Sequence, residues 1–296
     1  MASLYTQQGK NIRKTWVLMT GFFVIVIALG WIVSQVYGNS AILYAAVAFS
    51  LVMNVTAYWF SDKIALASTG AHEAEPIQYL ELHRILENLA ITAGLPKPRL
   101  YVIDDPAPNA FAAGRDPKHA VVAVSTGLLA RLERSELEGV IAHELSHIGN
   151  RDILVMTVAV VLAGFIAIIS DMFLRISFFG GNSRENKNPL FLIAGVAAII
   201  IAPIAAQLIQ MAVSRKREFL ADASGALLTR YPDALASALQ KISSYEAPMR
   251  RANHATAHLF ISNPFGAHEA GRFIAKIFST HPPVEERIAA LTQMRV

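Results

Sequence analysis

Four stretches of the chain, residues 16–36, 41–60, 153–170 and 189–213, contain no Asp, Glu, Lys, Arg or His. Each matches or approaches the ~20 residues an α-helix needs to cross a bilayer, so the pattern predicts four apolar helices. Only Tyr37-Gly38-Asn39-Ser40 separates the first two, which therefore pair as a hairpin. The third run, about 27 Å long as a helix, just suffices for a hydrocarbon core, and it forms a second hairpin with the fourth across the polar loop 171–188. Between and after the hairpins the pattern changes. Leu80, Leu82, Ile85, Leu86 and Leu89 mark an amphipathic helix over 76–93, stopped by Gly94 and Pro96. Residues 100–103 and 120–124 have strand composition, and a turn over 114–118 joins the latter to 109–113. The expectation is a small antiparallel sheet ending in a hairpin. Ser135 and Glu138 form a candidate capping box, followed by Leu137, Val140, Ile141, Leu145 and Ile148 at helical spacing. A helix over 232–245 and a last one opened by Pro282-Pro283 complete the chain.

Composition agrees with a membrane protein: 54% of residues are hydrophobic and 16% charged, against roughly 25% charged in soluble domains. The fold class expected is a mainly α membrane protein, four apolar helices in two hairpins, with an α+β domain on one side. Its parts are 1–60 (hairpin), 61–152 (polar, with the sheet), 153–213 (second hairpin) and 214–296 (polar). Lys10, Arg13 and Lys14 precede the first run and Arg215, Lys216 and Arg217 follow the fourth, which puts both polar segments in the cytoplasm. The first run exceeds the ~7–15 apolar residues of a signal peptide and reads as a retained anchor. A net charge of +4, scattered along the chain, gives no reason to expect nucleic acid. Runs without an ionisable group do not look like a transport path.

The chemistry concentrates in Ile141-Ala142-His143-Glu144-Leu145-Ser146-His147-Ile148. Residues i and i+4 of a helix lie one above the other, so His143 and His147 are placed to hold one metal ion. Glu144 stands beside the pair, placed to deprotonate a water without binding the metal, as in a zinc peptidase. The chain has no cysteine, so the ligands must be His, Asp or Glu. Glu218, where the fourth run returns, is the candidate third ligand. Asp222, one turn on, is placed to accept the second ring N–H of a ligating histidine. His254 and His258 are also four apart, but no Glu follows His254 and the flanks lack apolar spacing.

The ordered set of Asn109-Ala110-Phe111-Ala112, His143-Glu144-Leu145-Ser146-His147 with Asn150 and Asp152, Arg217-Glu218-Phe219 with Ala221-Asp222, and His281-Pro282-Pro283 resembles the HtpX-type membrane zinc metalloproteases, related to the CAAX prenyl endopeptidases. The resemblance spans nearly the whole chain. It implies one zinc ion on His143, His147 and Glu218, with Glu144 as general base and Asp222 behind the ligands. It also implies that Asn109, His281 and Arg287 line the substrate cleft, His281 and Arg287 facing the oxyanion or the substrate backbone. Ala110, Phe111 and Ala112 are expected to offer an open edge to an extended substrate. The function implied is cleavage of misfolded or damaged membrane proteins at the cytoplasmic face of the bacterial inner membrane. Two rivals are a site-2-type intramembrane protease and a scaffold with a structural metal. Glu136, Glu138, Asn150, Arg151 and Asp152 flank the motif too closely for bilayer depth, and a structural site has no use for Glu144.

Overall fold

In the computed structural model, residues 4–179, 215–252, 256–266 and 282–294 are described. The fourth apolar run, and with it the second hairpin, lies outside them, as do His254 and His281. Helices α1 (Leu4–Tyr37) and α2 (Ala41–Trp59) form the expected first hairpin. Within them Gln8–Gln35 and Ala41–Trp59, with mean hydropathy 2.4 and 1.7, are long and apolar enough to cross a membrane. Helix α3 (Ser61–Thr69) leads to strand β1 (His72–Glu73) and helix α4 (Leu80–Thr92), then to β2 (Arg99–Ile103), β3 (Ala110–Ala113) and β4 (Val121–Ser125). Helices α5 (Thr126–Arg131), α6 (Arg134–Gly149), α7 (Asp152–Phe179), α8 (Arg215–Thr229), α9 (Pro232–Ser243) and α10 (Val284–Thr292) follow.

The sheet corrects the antiparallel expectation. Its order is β1-β2-β4-β3, with β2 and β4 parallel and the two outer pairs antiparallel. The predicted β3–β4 hairpin forms, but β4 inserts between β3 and β2 and so runs in the direction of β2. Position follows burial: every residue of Val121-Val122-Ala123-Val124-Ser125 is buried, as a central strand covered on both faces requires. Val122 and Val124 face one core with Leu86, Ile141 and Leu145, whereas Val121 and Ala123 face another with Met156, Val160 and Phe260. The sheet is thus held between α6 and α7. A third cluster packs α1 and α2 on α7 through Leu18, Phe22, Ala57, Val155 and Leu162.

Helix α6 is capped by Glu133, two residues before the expected Ser135. The Glu133 N–H donates to Glu136 at 2.8 Å, while Glu138, the acid expected in that role, is drawn to Arg134 at 3.0 Å. At its other end α6 turns by 83° into α7. Arg151 takes the corner in the left-handed region at φ 60, a conformation non-glycine residues rarely adopt.

Candidate active site

Two histidines on α6 and one carboxylate on α8 converge in the space these helices leave. His143, His147 and Glu218 offer one ligand atom each, all within 4.8 Å of one another. The Nε2 atoms of His143 and His147 lie 3.1 Å apart. Glu218 stands 3.6 Å from the His147 nitrogen and 4.0 Å from that of His143. All three side chains are buried.

The opposite ring nitrogens settle what this pocket can hold. Nδ1 of His147 lies 3.1 Å from Oδ2 of Asp152. Nδ1 of His143 lies 2.9 Å from Oδ1 of Asp222, a short contact but off-axis, so the nitrogen lacks a well-aligned acceptor. With both Nδ1 atoms turned to carboxylates, the two Nε2 atoms face each other, and either a proton shared between them or a metal ion held by both satisfies the arrangement. Two nitrogens bound at 2.0–2.1 Å in a tetrahedron sit roughly 3.3 Å apart, so the pocket fits a metal ion.

Behind the ligands, Arg287 on α10 is 0% exposed. It grips Asp222 through two nitrogens at 2.7 and 2.8 Å, donates to the Ile261 carbonyl at 3.0 Å, and lies 3.7 Å from Glu218. Burial alone would raise the Asp222 carboxyl, but Arg287 brings it down to about 2. Burial lifts Glu144 to about 7, suited to a group that must take and return a proton near neutrality. Burial pulls His147 down, but Asp152, Glu218 and Glu144 outweigh it and hold the ring up at about 9. Burial keeps His143 below its ordinary value despite Asp222.

A metal must therefore displace a proton held on His147. Between pH 6 and 9 that proton competes, so apparent metal affinity is expected to rise about tenfold per pH unit. Chelator competition at pH 6, 7 and 8 checks this, and a flat profile would contradict the protonated ring.

The close approach of α8 to α6 rests on Gly225, two helical turns beyond Glu218. A Cβ there would stand 2.9 Å from the His143 backbone nitrogen and 3.2 Å from the Ala142 carbonyl carbon. Because backbone cannot yield as a side-chain tip can, Gly225→Ala is expected to push α8 outward. It should cost about 1–3 kcal/mol of stability and weaken metal binding, read by unfolding and metal titration; unchanged values would show that the helices have slack.

The residues expected to receive substrate are arranged differently. Asn109, Ala110, Phe111 and Ala112 are all buried, and the Ala110–Phe111 end of the β3 edge is already paired. The Ile261 N–H donates to the Ala110 carbonyl at 2.9 Å, Phe111 bridges Phe260, and the Asn109 amide bonds Ser262 through both its atoms at 2.9 and 3.3 Å. The reason is Leu259-Phe260-Ile261, three apolar residues inside a stretch read as polar, all buried against the sheet. Arg287, expected to face substrate, is committed to Asp222, Glu218 and Ile261. The sequence set Asp152 among the residues that carry the resemblance and beside the motif, without a role in holding His147. The signal that could have found it is an acid five residues beyond the second histidine, across a break in the helix.

A buried two-histidine, one-glutamate cluster shared by two helices, with Glu144 following the first histidine and a small sheet packed against α6, is the arrangement of a metallopeptidase. The chain belongs to peptidase family M48, whose profile matches residues 76–295, and is a metalloprotease. Its relatives are of the HtpX type. It is 48% identical to a protease HtpX homologue of Caldanaerobacter subterraneus over 99% of both chains, and 46% identical to one of Pyrococcus furiosus over 95% of both. The crystal structure of S. mikatae Ste24p shares the fold with a TM-score of 0.53 at 18% identity, over 97% of this chain and 67% of that one.

Proposed function

We propose that this membrane metalloprotease is a zinc endopeptidase of the bacterial inner membrane that cleaves misfolded or damaged membrane proteins from the cytoplasmic side. The observation that carries the reading is the facing pair of histidine Nε2 atoms, 3.1 Å apart, with Glu218 beside them. Two imidazoles and a carboxylate without any thiolate suit zinc. When bound, the ion supplies Lewis acidity towards water and a peptide carbonyl. The chain's own residues do the rest. Glu144 takes a proton from the attacking water as the new C–O bond forms, then gives it to the amine nitrogen as the C–N bond breaks. Asp222 and Asp152 hold the ligating rings, and Arg287 holds Asp222 against Glu218. His281 is the proposed donor to the oxyanion. An extended substrate reaching β3 has to share that edge with residues 260–262 or displace them.

The basic residues flanking the apolar runs support a cytoplasmic site and a four-helix, two-hairpin anchor. Relatives of the protease HtpX type support proteolysis. The test is cleavage of casein, as an unfolded model substrate, by detergent-solubilised full-length protein stripped by a chelator and then given zinc. Cleavage that returns with zinc supports the reading. No cleavage of casein or of unfolded membrane proteins by zinc-loaded, folded protein would overturn it.

A further inference from the structure

The metal cluster is supported from an unexpected direction. Asp152 turns one oxygen to His147, and its other oxygen accepts from the side chain of Asn11 at 2.7 Å. Asn11 lies on α1, the first membrane-capable helix, 141 residues away in sequence. The same amide donates to the Asn150 carbonyl at 3.0 Å, and its oxygen accepts from Arg217 at 3.4 Å. One turn before it, Gln8 donates to the Gly149 carbonyl at 2.8 Å. Asn11, Asn150, Asp152, His147 and Arg217 are all buried.

Each of these bonds answers a physical need. The last carbonyls of a helix have no partner within it, and the helix in question is the one that carries both histidines. Two side chains of α1 cap it from outside. A carboxylate that orients a metal-bound imidazole must itself be held, and such partners are as consequential as the ligands. Asn11 suits the place because its two N–H bonds meet two oxygens while its own oxygen meets a guanidinium. Leucine offers none of these, and aspartate would oppose Asp152 with like charge. Residue 11 lies outside the 76–295 region that matches the peptidase family, so this contact is supplied by the membrane hairpin.

We propose that Asn11 is a positioning residue of the metal centre: through Asp152 it fixes the ring of His147, making the first membrane helix a working part of the site. The proposal rests on the metal reading of His143, His147 and Glu218. It is tested on full-length protein in detergent by measuring zinc dissociation constants against a chromophoric chelator for wild type, Asn11→Leu, Asp152→Asn and the double variant, with thermal melting of each metal-free protein alongside. Asn11→Leu is expected to bind zinc about 10–100-fold more weakly. The double variant should bind no more weakly than Asp152→Asn alone, because both changes break the same chain of contacts. If Asn11 only packs helices together, melting falls while zinc affinity stays within about twofold of wild type, and the proposal is overturned. Additive losses in the double variant also overturn it. Should Asn11→Leu fail to fold, Asn11→Asp takes its place with the same expected loss. A wild type that binds no zinc would instead sink the metal reading, an outcome distinct from all of these.

Discussion

Changing Glu144 to Gln is expected to leave metal binding close to wild type and to lower the rate of peptide cleavage by about 10²–10⁴, the range a positioned general base contributes. Glutamine has nearly the same shape, so the packing around this buried position survives. What disappears is the proposed proton acceptor, a carboxyl raised to about 7 by burial. Glu144 stands outside the three-residue ligand cluster, so metal content should not follow activity down. Turnover on an unfolded substrate together with metal analysis of the same sample makes the check. A variant retaining more than a tenth of wild-type activity would move the base elsewhere.

Replacing Arg287 by Met is expected to destabilise the metal-free protein by about 3–5 kcal/mol, the cost of leaving a buried partner's charge uncompensated. Arg287 is fully enclosed and binds Asp222 with two hydrogen bonds. Without it, Asp222 and Glu218 remain as buried carboxylates. Since the Asp222 carboxyl is depressed from 3.8 to about 2 in the folded protein, its contribution is present above pH 3.8 and lost as pH falls through 2. That acid-side dependence should shrink in the variant. Adding Asp222→Asn to Arg287→Met should restore part of the loss, because the two groups form one unit. Chemical unfolding of the metal-free proteins reads both effects. Equal stability of wild type and Arg287→Met would mean that solvent, not Arg287, compensates Asp222.

Much of this site lay open in the chain because its chemistry is local. His143 and His147 share a helix face at i and i+4, and Glu218 and Asp222 repeat the spacing on α8. The apolar runs at the N-terminal end likewise carry their own length and their own turn. What stayed hidden was long-range or lay across a break in regular structure. Arg287 meets Asp222 across 65 residues and Asn11 meets Asp152 across 141, and no periodicity marks either. Asp152 meets His147 only because the helix turns through 83° between them. The parallel pairing of β2 and β4 was missed for a related reason. A hairpin reading sees neighbours in sequence, while the central place of β4 is set by burial on both faces.

The order in which these groups occur along the chain also bears on when the site comes into being. Asn11 is made first, then His143, His147 and Asp152, next Glu218 and Asp222, and last Arg287, whose guanidinium neutralises the acids of α8. During synthesis, at roughly 5–20 residues per second, a growing chain holds the two histidines for several seconds before the third ligand exists. It holds that ligand for several seconds more before its counter-charge arrives. The candidate ligand set is therefore incomplete until Glu218 has been made, and the counter-charge that Arg287 brings to Glu218 and Asp222 follows later still.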